Sequence, residues 1–161
     1  MLYKNFSLVI ATIALCTGYS CPALAQITPD TTLGDESSVV TPDAEVKGET
    51  ADRIDGGAIR DRNLFHSFDE FNVNEAQQVY FANPNNIEQI FTRVTGNNPS
   101  NINGTLGIDG AADLLLLNPN GILFGENSSL DVEGSFFGTS ADSSRWSGST
   151  CFARRMPPGI V

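Results

Sequence analysis

Apolar residues in this chain come in short bursts, and turn-forming residues stand between them. Past the middle of the chain the bursts are Gln78–Phe81, Ile87–Val94, Ile102–Ile108, Asp113–Leu117, Ile122–Phe124, Ser129–Val132 and Ser135–Thr139. Each has strand length, is rich in β-prone residues, and is closed by Asn, Gly or Pro. Tight turns between short strands leave this pattern. No helical period competes with it, so the pattern predicts an all-β domain.

The run Leu114-Leu115-Leu116-Leu117 leads into Asn118-Pro119-Asn120-Gly121-Ile122. Asn118 suits the first position of a type I turn, because its side chain can bond the backbone two residues on. Pro119 has its φ pre-set for the second position, and Gly121 fits the fourth. Related corners occur earlier. Asn83-Pro84-Asn85-Asn86-Ile87 follows Val79-Tyr80-Phe81, and Asn98-Pro99-Ser100-Asn101-Ile102 follows Phe91–Val94. Gly104, Gly121 and Gly138 recur 17 residues apart, close to one turn of a coil. Stacked β-coils fit, since one turn of a solenoid cannot bury its apolar face without neighbours. Asparagines at corresponding corners would then form ladders. A β-sandwich also spaces its strands at roughly 8–12 residues, but recurrent Asn-Pro corners favour the coil.

Before the repetitive region, Gln26–Asp52 mixes acids, Thr, Ser, Pro29 and Pro42 around short β-prone pieces such as Ser38-Val39-Val40. Such extended segments can pair as a cap. Arg53–Arg60 is expected to be a strand–turn–strand junction at Asp55-Gly56-Gly57, with its two arginines on a solvated edge or pairing with nearby acids. In Asn63–Val73, Phe65, Phe68 and Phe71 recur every third residue. That spacing suggests a short 3₁₀ segment or a bent strand with several buried rings. His66 is the only histidine and supports neither a triad nor a zinc site; its expected role is structural.

Length and charge narrow the picture. The chain has 161 residues, enough for one domain. Its net charge of −10 and lack of Lys/Arg clusters argue against nucleic acid and anionic membranes as partners. Charged residues are 17%, below the usual ~25%, so the surface is polar rather than ionic. At the start, Lys4 precedes the apolar Phe6–Leu15, and Ala23-Leu24-Ala25 ends in a small-x-small site. This reads as a signal peptide over residues 1–25, cleaved between Ala25 and Gln26 after passage through the Sec translocon. Cys16 and Cys21 leave with it, so Cys151 stays alone and no internal disulfide is expected.

No catalytic residue, cofactor or metal site is expected. Asp109/Asp113 and Asp131/Glu133 lack calcium-loop spacing and read as solvated carboxylates. Lys47, Arg53, Arg60, Arg62 and Arg93 are poorly placed for the proton abstraction that β-coil polysaccharide lyases perform. Asn103-Gly104-Thr105 and Asn127-Ser128-Ser129 match glycosylation acceptors only formally.

Taken together, Asn63-Leu64-Phe65-His66-Ser67-Phe68, Phe71-Asn72-Val73, Val79–Pro84, Arg93–Ile102 and Leu117–Ile122 resemble the N-terminal two-partner secretion domain of filamentous-haemagglutinin-type exoproteins. The resemblance covers roughly Ile27–Ser143. It implies a right-handed parallel β-helix with an N-terminal cap. It also implies recognition by an outer-membrane β-barrel transporter through periplasmic POTRA domains, and release to the cell surface or medium of a Gram-negative-type bacterium. The family's secretion motifs map onto Asn83, Pro84 and Asn85, and onto Asn118, Pro119, Asn120, Gly121 and Ile122. A surface adhesin binding host cells or glycans is the alternative. The domain is expected over 26–143. Residues 144–161, with three arginines and Cys151, read as an aberrant or truncated tail.

Overall fold

The computed structural model describes residues 26–141. The signal peptide with its cleavage residue Ala25, Cys151 and the tail expected over 144–161 lie outside the described residues. Strands β1 (Ile27–Pro29), β2 (Ser38–Val46), β3 (Glu49–Gly56) and β4 (Ala58–Arg60) come first. After them run β5 (Asn63–Phe71), β6 (Gln78–Ala82), β7 (Gln89–Val94), β8 (Ser100–Ile102) and β9 (Thr105–Asp109). Last come β10 (Asp113–Leu117), β11 (Ile122–Phe124), β12 (Ser129–Asp131) and β13 (Phe136–Thr139).

The strands wind into a parallel β-helix with three faces. The first face stacks β3, β6, β9 and β12, and the second stacks β5, β7, β10 and β13. The third is β8 on β11, extended by a bridge from Val73 to Ile102. Each coil visits the faces in that order. At the N-terminal end the pairing turns antiparallel: β1 and β4 lie on β5, and β2 lies on β3. This is the cap expected of Gln26–Asp52, and it covers the open edges that a solenoid end would otherwise present.

Inside, register stacks like on like. Leu64, Ile90, Leu114 and Phe136 form one row, and Ile54, Phe81 and Ile108 another. Most of these side chains are fully buried, each contributing roughly 1.5–3 kcal/mol. The shared core is the reason one coil cannot stand without the next.

Several expectations need correction. The repeat is not 17 residues: Asn63 pairs with Gln89 and Gln89 with Asp113, steps of 26 and 24. The steps from Leu114 to Phe136 and from Ser100 to Ile122 are both 22. Gly104, Gly121 and Gly138 accordingly sit at unrelated places: between β8 and β9, before β11, and inside β13 opposite Leu116. The single strand expected over Ile102–Ile108 is two strands on different faces, split by a corner at Asn103-Gly104. Alternation of apolar and polar residues runs straight through so short a corner, so periodicity does not register it.

For the aromatic stretch the bent-strand alternative holds: it is a nine-residue strand, β5, irregular near Phe68, with no 3₁₀ turn. Phe65 points outward while Phe68 and Phe71 both point into the core. A register shift between Thr28 and Pro29, which face Glu70 and Phe68, changes the alternation there. The extra residue, Asp69, lets Phe68 and Phe71 share a face three apart, while Phe65 and Phe68 sit on opposite faces as plain alternation requires. At Gly56-Gly57, with φ of 72° and 86°, the chain does turn, but β3 and β4 then join different faces instead of pairing with each other.

Candidate functional site

The Asn118 corner assembles as its residues predict. The Gly121 N–H donates to the Asn118 carbonyl at 3.0 Å, closing the turn. The Asn120 N–H donates to Asn118 Oδ1 at 2.9 Å. Gly121 has φ of 112°, which side-chain-bearing residues rarely adopt. The same asparagine also reaches its neighbours. Its Nδ2 donates to the Asn98 carbonyl at 3.0 Å and to Ser100 Oγ at 2.9 Å, both in the preceding coil. Its backbone N–H donates to Thr139 O in the following coil at 3.0 Å. Asn118 and Ser100 are both 0% exposed. The buried side-chain amide thus ties its corner to the preceding coil, and the backbone of the same residue joins the following one. Exposed Asn120 adds a bond from its Nδ2 to the Gly96 carbonyl at 2.8 Å. Pro119 is exposed, and Ile122 packs partly against the core.

The other two corners are not copies of it. Asn98-Pro99 lies on the same edge one coil earlier but out of step: Ser100 pairs with Ile122, which sets Asn98 level with Asn120. Ile102 ends β8, whereas Ile122 begins β11. Asn83-Pro84-Asn85 sits on a different edge, where β6 passes to β7. There the turn bond runs from the Ile87 N–H to the Pro84 carbonyl at 3.2 Å, and Asn86 takes the positive φ of 69°. Asn83 is half-buried with no partner for its Oδ1, and Pro84 and Asn85 are exposed. The asparagines of the Asn-Pro corners therefore do not stack in the expected ladder; one pair stacks instead on the third face, where the Asn101 N–H and Nδ2 donate to Asn72 Oδ1 at 2.9 and 3.3 Å. Leu123 opposite Asn101 ends it. Gln26, the residue after the expected cleavage, accepts at its carbonyl from the Asn72 N–H at 2.7 Å, placing it at the mouth of the cap.

Three polar clusters bind the cap to the coil. His66 Nδ1 lies 2.9 Å from Ser38 Oγ, while buried Nε2 has no partner. Burial pushes its pKa down to about 4. Asp30 collects bonds from Thr95 Oγ1, Ser67 Oγ and the side chain and backbone N–H of Thr32, at 2.6–2.9 Å. Burial opposes its charge, but those bonds prevail and lower its pKa. On the outer side, Lys47 Nζ and Tyr80 Oη both donate to Asp131 Oδ2, at 2.9 and 2.8 Å. Burial, then this carboxylate, raises the Tyr80 pKa to about 12. The Tyr80 ring lies over Gly107, where a β-carbon would collide with it. Asp131 is thus engaged in a clamp while staying solvent-facing as expected, its side chain 43% exposed, and Asp113 accepts from the Ser135 N–H at 2.7 Å. Arg53 and Arg60 both pair, with Asp55 at 3.0 Å and Glu36 at 2.6 Å, on an exposed edge. Only register could have found the clamps, because the partners lie as far apart in sequence as Lys47 and Asp131.

Residues 25–158 match the family described as the TPS secretion domain. The chain belongs to that family. It is also 32% identical, over 102 residues, to the Heme/hemopexin-binding protein of Haemophilus influenzae (strain ATCC 51907 / DSM 11121 / KW20 / Rd). That alignment covers 60% of this chain and 11% of the relative, so the chain corresponds to a small part of a much longer protein. No solved structure matches the chain. A TPS domain belongs to an exoprotein carried across the outer membrane with the help of a partner transporter. Its parallel β-helix agrees with the fold expected from the motifs; the family match, not the coil alone, identifies the domain.

Proposed function

We propose that this domain is the secretion signal of a large exoprotein, read by the periplasmic POTRA domains of a dedicated outer-membrane β-barrel transporter. The chain reaches the periplasm through the Sec translocon, crosses the outer membrane unfolded, and folds outside coil by coil. The observation that carries the reading is the TPS match over residues 25–158, joined to a solenoid capped at its N-terminal end. Each coil that stacks outside buries apolar surface and opposes backsliding.

In this account Asn118 serves secretion through architecture. Its side chain is wholly buried and has partners on both amide atoms, so in the folded domain it offers nothing to a partner. Exposed Asn85 and Asn120 are better placed to be touched. The relative's name favours a second reading, in which the exoprotein beyond this domain binds haem or hemopexin. It is compatible with the first, since signal and cargo are different parts of one chain.

The test is export in cells with and without the cognate transporter. The tagged chain should appear in the medium only when the transporter is present. Equal amounts in the medium without it would overturn the proposal.

A further inference from the structure

On the outer side of the first face one row runs through Arg53, Tyr80, Gly107 and Asp131, a residue from each coil. Tyr80 and Asp131 are two strand spacings apart, roughly 10 Å, yet Tyr80 Oη donates to Asp131 Oδ2 at 2.8 Å. The ring spans that gap by lying across Gly107, where a β-carbon would collide with its Cε1 and Cδ1. Gly107 stands inside β9 and its φ is not positive, so no turn demands glycine there. It marks a close approach, the other reason for a glycine inside a strand.

The cap closes over the same ring. Lys47 and Gly48, with φ of 53° and 84°, make the two-residue turn between β2 and β3, a hairpin connection that takes positive φ at both positions. Beside that turn, Val46 and Ala51 pack with Tyr80 in a cluster separate from the main core. Lys47 Nζ lies 5.2 Å from the centre of the ring and 2.9 Å from Asp131 Oδ2. One carboxylate of the fourth coil thus holds both the cap hairpin and a ring of the second coil. Asp131 lies 84 residues from Lys47 and 51 from Tyr80. Contacts so distant in sequence close late, once the chain between them is ordered. Here β9 must stack on β6 before β12 can bring the carboxylate to the ring.

We propose that Asp131, Tyr80 and Lys47 form a latch, which closes only when the fourth coil has stacked and then makes cap and coils open as one body. Bonds made after the transition state slow unfolding without hastening folding. In the secretion reading above, on which this consequence rests, the latch holds an emerged domain against being drawn back.

The test follows unfolding and refolding of the purified full chain in urea by rapid mixing, for wild type and for Tyr80→Phe, which keeps the ring and removes its hydroxyl. Unfolding should be roughly fivefold to tenfold faster, as loss of a hydrogen bond to a charged group implies. Refolding should change less than about twofold. Lys47→Met should act in the same direction and by less, because the ion pair is partly open to solvent. Native-state hydrogen exchange gives a readout that a merely local bond would not move: in Tyr80→Phe the amides of β12 and those flanking the Lys47-Gly48 turn should lose protection together. If Tyr80→Phe does not fold, Asp131→Asn takes its place with the same expectations. Refolding slowed as much as unfolding is hastened would put the clamp early and overturn the latch. So would an unchanged unfolding rate, or protection lost at β12 alone. None of these measurements involves the transporter, so they stand or fall apart from the export test, whose failure removes only the role in secretion.

Discussion

The Asn118 and Asn83 corners carry nearly the same residues and do different work. Asn118 is wholly buried, and both its amide atoms are bonded, to Asn98, Ser100 and Asn120. Asn83 is half-buried and leaves Oδ1 unpaired. The difference lies in what stands one coil away. Asn118 is stacked above a carbonyl and a hydroxyl, whereas Asn83 faces the backbone at Gly110. A motif that looks repeated in sequence is therefore a structural tie in one place and an ordinary turn in the other.

The largest effect expected from this contrast is on Asn118→Ala. It removes the turn's side-chain bond and leaves buried Ser100 Oγ without its donor, at a cost of about 3 kcal/mol. A urea unfolding curve with a lowered midpoint and unchanged slope would show it. A loss under about 1 kcal/mol would mean the buried amide is not a tie.

Next comes pH, because His66 is the mixed case, with Nδ1 beside Ser38 and Nε2 unpaired. Its folded pKa of about 4 lies below the ordinary 6.5. The unfolded chain therefore binds more protons between those values. Stability due to this group is fully present above pH 6.5 and is lost as pH falls toward 4. Between pH 7.5 and pH 5 the loss should be about 2 kcal/mol. Unfolding midpoints across that range should fall for the wild type and stay much flatter for His66→Leu.

Gly121→Ala tests the turn without touching the amide. At φ of 112° the new side chain should cost roughly 1–3 kcal/mol, read as a drop in melting temperature. The smallest effect is expected for Asn83→Ala, which removes an amide whose oxygen has no partner. A change under about 0.5 kcal/mol is predicted, and one as large as that of Asn118→Ala would erase the contrast between the corners.

Much of this was legible beforehand, for local reasons. The strands Asp113–Leu117 and Ile122–Phe124 and the turn between them follow from an apolar run, an Asx bond, a proline and a glycine, all within a few residues. The coil period was not legible, because its steps vary between 22 and 26 along a single face. No fixed repeat exists to be counted. Likewise the pairing of Asn118 with Ser100, of Lys47 with Asp131, and of Phe65 with Phe91 depends on register. Stacking side chains across coils determines register, and spacing within one coil does not reveal it. The aromatic triplet left 3₁₀ turn and bent strand both open, because a single extra residue, Asp69, sets the faces of Phe68 and Phe71 and only register reveals it.

The central claim is that Asn118 supports secretion by holding coils together and not by touching the transporter. The direct measurement is the amount of wild-type and Asn118→Ala chain released to the medium of cells carrying the cognate transporter, taken alongside the unfolding midpoints of the two proteins. A lowered midpoint with release falling alongside it is the expected result. An Asn118→Ala protein as stable as wild type but released at least tenfold less would contradict it.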